Sequence, residues 1–255
     1  MIMILIRRLL PIIATLSIGA AFWFQSRATA LYPWVALCGV AVVPVAAFVI
    51  SWKRTPISDF FEKMGPTFVL LLSLAFGLLL VEGALALGVL IAIAALATLI
   101  SLELLFLFAY DPAAYPVNGI SRVNLAYVPL AIWYAVRTSA GLLVFLHAPR
   151  SWHLVVTTIL GAVLFRTTNH PGATRRQNAA WTLIGVLAGL EIGWIGTLLP
   201  VGMGIQGAIA ALLLTGALRV RRYLYEPKPS RRMAWSEGVG GLLLFALTIG
   251  TAKWL

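Results

Sequence analysis

Apolar stretches long enough to cross a membrane, separated by short polar segments, run through the whole chain. A membrane-spanning helix needs roughly 20 mainly apolar residues. Hydrophobic residues make up 61% of the 255 positions and charged residues only 11%, whereas a soluble domain carries about 25% charged residues. A water-soluble fold would lack the polar surface for this many apolar side chains. The sequence therefore excludes a soluble enzyme, a secreted disulfide scaffold and a disordered protein.

This pattern predicts an all-α fold, a polytopic transmembrane helical bundle that forms one integral membrane domain over residues 1–255 without a soluble domain. Two longer apolar runs are divided at Glu82-Gly83 and at Leu199-Pro200, because glycine and proline interrupt helices. The nine predicted spans are 9–25, 31–52, 66–81, 84–109, 125–146, 152–165, 179–199, 201–218 and 238–252. The sixth and the ninth are the shortest, so a bundle of eight spans is the alternative.

The basic residues predict the orientation of the chain. With a cytoplasmic N-terminus, 15 Lys and Arg residues fall in inside segments and only Arg27, Arg150 and Lys253 fall outside. This asymmetry follows the positive-inside rule and is typical of a prokaryotic plasma membrane. A signal peptide cleaved after residues 28–30 (Ala-Thr-Ala) is the alternative for the first span. Its apolar core, Leu9–Phe24, exceeds the roughly 7–15 residues usual for such a peptide, which favours an uncleaved helix.

The net charge of +11 follows from this topology rather than from a nucleic-acid partner. The basic residues lie near span ends, where anionic lipid headgroups attract them. We expect headgroup contacts at Arg219–Arg232 and no nucleic-acid binding. The one cysteine, Cys38, excludes an intramolecular disulfide. The sequence has no metal-site spacing of Cys and His and no nucleotide-binding or nucleophile-elbow motif, so we predict no metal and no cofactor.

Three ionisable residues lie inside predicted spans, where a charge is expensive and by default indicates function. Arg137 and Glu191 fall at nearly the same depth, and Glu103 lies closer to the cytoplasmic end of its span. We expect Arg137 to pair with Glu191, or else with Glu103, because a guanidinium cannot shed its proton. The pair would either fix the helix register or line a polar cavity for an anionic substrate. Aromatic residues expected to line the same interior are Trp133, Tyr134 and Trp194.

The seventh span carries glycines at a helical spacing. Gly185, Gly189 and Gly193 share one face, which lets a neighbouring helix approach closely. The partner is either a helix of the same chain or another subunit of a homo- or hetero-oligomer. Glu191 lies two residues from two of these glycines and is expected to point away from their face.

Two predicted cytoplasmic loops are rich in turn-forming and polar residues. The first covers residues 111–124 and has almost no net charge. The second covers residues 167–178 and contains two arginines. They are either ordinary connectors or a polar surface facing the cytoplasm. The polar residues of interest in them are Asp111, Asn118, Arg122, Asn124, Asn169 and His170.

The sequence leaves three classes of function open. A small permease or channel-like protein would use a polar site near the membrane midplane. A non-catalytic membrane subunit or scaffold would agree with the sparse polar content and the glycine packing. An intramembrane enzyme acting on lipid-linked substrates is less favoured, since the chain carries no recognisable catalytic motif.

Overall fold

A computed structural model describes residues 2–52, 54–168, 174–225 and 231–252. Within these ranges the chain forms nine α-helices, which confirms the prediction of an all-α bundle. They are α1 (Ile2–Arg27), α2 (Trp34–Ser51), α3 (Ile57–Gly77), α4 (Ala84–Tyr110), α5 (Gly119–Phe145), α6 (Arg150–Thr167), α7 (Arg175–Leu198), α8 (Met203–Tyr225) and α9 (Arg231–Gly250).

Several helices extend beyond the spans predicted from hydropathy. Helix α3 begins at Ile57 rather than at residue 66, and α8 continues to Tyr225 rather than ending at 218. Hydropathy stops where the apolar residues stop, but backbone hydrogen bonding continues the helix into the polar segments. Pro66 lies inside α3 instead of at its start, which transmembrane helices tolerate when neighbouring groups satisfy the backbone.

Seven of the described helices are long and apolar enough to cross a membrane. The other two are α6 and α9, which correspond to the two shortest predicted spans. Large apolar side chains such as Leu85 and Leu242 project outward with little protein cover, as expected where lipid surrounds the helices. The fold is that of a multi-pass membrane protein.

The chain divides into two compact units, unit 1 (Met1–Tyr127) and unit 2 (Val128–Leu255). In unit 1, α1 packs against α2 and α4, and α3 packs against the same two helices. Small residues allow the approach of α1 to α2, because a Cβ atom on Gly39 would lie 2.5 Å from the Cβ of Ala21. The fully buried side chains of this core include Ile18, Phe22, Val43, Leu71, Leu74 and Leu102.

In unit 2, the most intimate packing joins α6 to α7, and α8 contacts both α7 and α9. A Cβ atom on Gly161 would lie 2.1 Å from the carbonyl oxygen of Gly185, so the two backbones touch at these glycines. Helix α7 begins with a capping box, in which the Thr174 hydroxyl accepts from the Gln177 N–H and the Gln177 side chain accepts from the Thr174 N–H. Thr174 and Gln177 therefore determine where α7 begins.

Candidate functional site

Unit 2 contains a cavity at the end of the bundle where α5 connects to α6 and α7 connects to α8. Its volume is about 560 Å³, within the range of about 300–1,000 Å³ typical of ligand pockets. Side chains of α5 and the two connections provide a mainly apolar wall. The polar lining groups are His147, Arg150, Thr197 and Gln206.

The sequence shapes both connections around this cavity. Pro149 is the N-cap of α6 and leaves the first N–H groups of that helix without a capping side chain. His147 precedes it with a φ of 52°, in the left-handed region that only a few side chains adopt. On the other side, the amide nitrogen of Gln206 donates to the carbonyl oxygens of Leu199 (3.4 Å) and Val201 (3.2 Å) and holds the α7–α8 connection in place.

The electrostatics of the cavity favour an anion. Arg150 is the one permanently charged side chain among the lining residues, and none of them is a carboxylate. Helices α6 and α8 both begin at the cavity, at Arg150 and Met203. The N-terminus of a helix carries a partial positive charge and free N–H groups. Helices α5 and α7 end at the same cavity, and the partial negative charge of their C-termini offsets that of the two N-termini, so Arg150 is the group that makes the cavity positive.

A buried polar pair lies behind the cavity wall. The Nδ1 atom of His153 is 2.8 Å from the Oγ atom of Ser139, and both residues are buried. The Ser139 hydroxyl also lies 3.0 Å from the carbonyl oxygen of Val136. If the hydroxyl donates its single proton there, His153 donates from Nδ1 and its Nε2 is an acceptor; this tautomer is assigned from the hydrogen bonds.

The Nε2 atom of His153 faces the cavity wall at Gly196. It is buried and has no hydrogen-bond partner in the part of the chain that the structure describes. A Cβ atom on Gly196, which lines the cavity, would lie 3.1 Å from it. An alanine at position 196 would therefore crowd the imidazole.

The residues predicted for a midplane site divide between two environments. On α5, the guanidinium carbon of Arg137 lies 5.5 Å from the ring centre of Trp133, and the rings of Trp133 and Tyr134 meet edge to face at 4.7 Å. The Trp133 indole also donates to the carbonyl oxygen of Gly204 at 3.0 Å. Arg137 is three residues before Ala140, a cavity-lining residue, so it lies one turn deeper on the same face of α5.

Glu191 and Trp194 do not join this group. Both are exposed on α7, and no ion pair between Arg137 and Glu191 occurs among the described residues. The buried glycine face of α7 explains this placement, because Glu191 lies on the opposite side of the helix from Gly189 and Gly193. The expected pairing of Arg137 with Glu191 is therefore not formed.

Glu103 has a different partner from the one expected. In unit 1 its carboxylate lies 2.5 Å from the guanidinium of Arg8, at the start of α1. Arg8 lies outside the predicted spans, but the first turns of α1 extend alongside the end of α4. Glu103 thus balances a basic residue of the N-terminal segment.

The predicted loop 111–124 ends earlier than expected, because α5 already begins at Gly119. Asn118, with a φ of 56°, precedes the first residue of α5, and the Asn124 amide donates to the carbonyl oxygen of Lys63 at 3.0 Å. Asp111 accepts a weak hydrogen bond of 3.4 Å from the N–H of Ala114. Arg122 is exposed at the start of α5. Asn169 and His170 lie outside the described residues.

The glycine face of α7 packs against α6 of the same chain. A Cβ atom on Gly189 would lie 2.3 Å from the Thr157 carbonyl oxygen, and one on Gly193 would lie 2.2 Å from the Thr157 hydroxyl. Gly185 faces Gly161 in the same way. A second chain would have to displace α6 to use this face.

Sequence reasoning missed the role of Arg221. It was expected to face lipid headgroups within Arg219–Arg232, but only 1% of the residue is exposed. Its guanidinium donates to the carbonyl oxygen of Phe165 at 2.6 Å and to the Asn178 side chain at 2.5 Å. The burial of Arg221 follows from the length of α8. This helix continues past the predicted span and turns the residue toward the interior of unit 2.

The fold and the cavity define an α-helical, multi-pass membrane protein with a partly polar pocket at one end of unit 2. Comparison with known proteins adds no family: no family model, no characterised protein and no solved structure is significantly similar to this chain. Among the described residues, no group of three or more His, Cys, Asp or Glu side chains is placed to hold a metal ion.

Proposed function

We propose that the protein is a small permease of a prokaryotic plasma membrane, with its N-terminus in the cytoplasm, that binds an organic anion in the cavity of unit 2. The observation that carries this proposal is the cavity itself, in which Arg150 faces a mainly apolar space without a carboxylate. With the predicted orientation, the cavity opens on the outer side of the membrane. The proposed site replaces the midplane pair of Arg137 and Glu191.

The lining supports a solute with both a charged and an apolar part. One cation at the rim would bind a single carboxylate or comparable group. The apolar wall would accept the remainder of the molecule, since apolar walls with a few polar groups are the usual composition of small-molecule sites. A volume of about 560 Å³ suits a molecule of moderate size rather than an inorganic ion.

Polar residues deeper in unit 2 support a substrate path from the cavity toward the cytoplasmic side of the membrane. Arg137 lies one turn below the cavity on α5, where it would provide a second cation for a moving anion. The buried polar side chains Ser139, His153 and Thr157 also lie within the bundle. Polar groups inside membrane proteins commonly mark the paths of substrates.

Uptake of an organic anion into proteoliposomes tests this function. The decisive variant is one in which a large side chain fills the cavity. Gly202 lines the cavity and has no atom within 4 Å of an added Cβ, so Gly202→Phe is expected to fill the space without disturbing the fold. The matched control is Gly216→Phe in α8, whose added Cβ also meets no atom within 4 Å. We expect counterflow of an amphipathic monocarboxylate with wild type and with the control, and loss of at least about 90% of it with the plug.

The proposal fails if no organic anion shows saturable uptake. It also fails if Gly202→Phe and Gly216→Phe transport equally well, because the solute would then not pass through this cavity.

A second candidate, a membrane subunit of a larger complex, is favoured by one face of α7. Glu191 is exposed there between apolar side chains, including Leu187, Leu190 and Trp194. A carboxylate facing hydrocarbon is unfavourable, and a partner helix would shield it. Intact-mass measurement after purification in mild detergent tests this candidate: a partner in fixed ratio that is lost in Glu191→Leu supports it, and a chain without a second protein rules it out.

Lipid contacts complete the proposed membrane placement. We retain anionic headgroups as partners of the segment Arg219–Arg232, with the exception of the buried Arg221. Arg219 is partly exposed and forms an ion pair of 2.7 Å with Glu237, which joins α8 to α9. The remaining basic residues of the segment would then account for most of the attraction to the headgroups.

A further inference from the structure

The basic end of unit 1 consists of Arg7, Arg8 and Arg54 around the aromatic residues Phe106 and Tyr110 at the end of α4. The guanidinium carbons of Arg7 and Arg54 lie 5.5 Å and 5.4 Å from the centre of the Tyr110 ring. Two cations within this distance of one ring are no farther apart than twice that distance. Two different segments of the chain, α1 and the connection between α2 and α3, thus bring positive charge to the end of α4.

The charges of this cluster are only partly balanced. Arg8 forms the ion pair with Glu103 and lies over the ring of Phe106. Arg7 donates a hydrogen bond to the Tyr110 hydroxyl, which is a neutral partner. In the ranges that the structure describes, neither Arg7 nor Arg54 forms an ion pair with a carboxylate. Among the residues that the structure describes, the guanidinium charges of Arg7 and Arg54 therefore have no carboxylate counter-ion.

Two further hydrogen-bonding atoms at this end lack partners. The Nε atom of Arg7 is buried, as is the hydroxyl of Thr55, the residue after Arg54, and neither has a hydrogen-bond partner among the described residues. Buried polar atoms are nearly always hydrogen-bonded. The unsatisfied Nε–H belongs to Arg7 itself, one of the two cations without a carboxylate partner, and a bound anion would supply both a hydrogen-bond acceptor and a counter-charge.

We propose that the basic end of unit 1 is a binding site for a phosphate monoester group. A dianion matches the two unpaired guanidinium charges, and its oxygens accept charge-assisted hydrogen bonds in the forked geometry that arginine favours. The ring of Tyr110 holds both arginines by cation–π contacts, so the site is assembled before the ligand arrives. The group can belong to an acidic phospholipid or to a soluble phosphate ester. This site is separate from the cavity of unit 2 and does not depend on the proposed transport.

Ligand-dependent thermal unfolding of the full chain in a neutral detergent tests the site. The probes are dioctanoyl phosphatidic acid, glycerol 3-phosphate and inorganic phosphate, with dioctanoyl phosphatidylcholine as the lipid without a monoester. We expect saturable stabilisation by at least one monoester, with affinity reduced about tenfold in Arg7→Gln and in Arg54→Gln. The matched control is Arg122→Gln, an exposed basic residue outside the cluster, which should bind within about twofold of wild type.

The outcomes separate the two sources and keep the proposal falsifiable. Binding of phosphatidic acid without glycerol 3-phosphate identifies a lipid, and comparable binding of both identifies a soluble ester. Equal stabilisation by phosphatidylcholine, equal losses in all three variants, or unchanged binding in Arg54→Gln overturns the proposal. Because Arg54 is exposed, its variant tests the site even if Arg7→Gln fails to fold.

Discussion

The guanidinium of Arg221 on α8 donates a hydrogen bond of 2.6 Å to the backbone carbonyl oxygen of Phe165 near the end of α6. A second hydrogen bond, of 2.5 Å, reaches the side chain of Asn178 at the start of α7. The guanidinium carbon also lies 6.0 Å from the ring centre of Trp181. One buried cation therefore connects three helices of unit 2 at the end opposite the cavity.

Replacing this arginine should destabilise unit 2. In Arg221→Met, a side chain of similar length no longer donates to the Phe165 carbonyl and to the Asn178 side chain, and a buried group left unsatisfied costs about 1–3 kcal/mol. We expect a clear fall in the thermal unfolding midpoint in detergent. The control Arg176→Met removes an exposed arginine of α7 and should leave the midpoint nearly unchanged. Equal midpoints for the two variants would contradict the structural role of Arg221.

The contact between α6 and α7 predicts a strong effect from a single methyl group. In Gly189→Ala, the new Cβ would lie 2.3 Å from the Thr157 carbonyl oxygen, so the helices must separate, at a cost of about 1–3 kcal/mol. Gly216→Ala adds the same methyl group where no atom lies within 4 Å and should be neutral or slightly stabilising, because alanine favours helices. Unfolding measured by circular dichroism should rank these variants; a Gly189→Ala protein as stable as Gly216→Ala would show that α6 does not pack here.

Tyr32 provides a pH-dependent test of the connection between α1 and α2. Burial raises the pKa of Tyr32 from 10.0 to about 12, and its hydroxyl donates to the carbonyl oxygen of Phe76 at 3.0 Å. The fold favours the neutral phenol, so the stability that Tyr32 contributes is complete below pH 10 and is lost as the pH rises toward about 12. The difference in tyrosinate absorbance between wild type and Tyr32→Phe should report this late ionisation. A midpoint near the ordinary value in the folded protein would contradict the partial burial of the Tyr32 hydroxyl against α3.

The helices of this fold could be predicted from the sequence more accurately than the contacts between them. Long apolar runs specify transmembrane helices because a buried backbone in lipid must bond to itself, and the glycine spacing of α7 correctly indicated close packing. The position of Glu191 opposite Gly189 and Gly193 also followed from helical geometry alone. These features depend on residues close together along the chain.

The candidate site depended on contacts between distant segments and could not be predicted in the same way. Arg150 and Gln206 lie far apart in sequence, and only the fold brings both to one cavity. The partner of Glu103 was missed because Arg8 precedes the first predicted span, although the helix that carries it begins at Ile2. Charge position relative to a span does not reveal which way a helix turns its side chains, as the burial of Arg221 shows.

Binding of small organic anions to the purified protein tests the central claim most directly. A panel of amphipathic monocarboxylates is titrated against wild type and Arg150→Gln, with thermal unfolding as the readout, because a ligand of the folded state raises its stability as RT ln(1 + [L]/Kd). We predict saturable stabilisation of wild type and an affinity about tenfold lower in Arg150→Gln, which corresponds to about 1.4 kcal/mol. Stabilisation of equal size in both proteins, or of neither by any anion, would contradict an anion site in the cavity of unit 2.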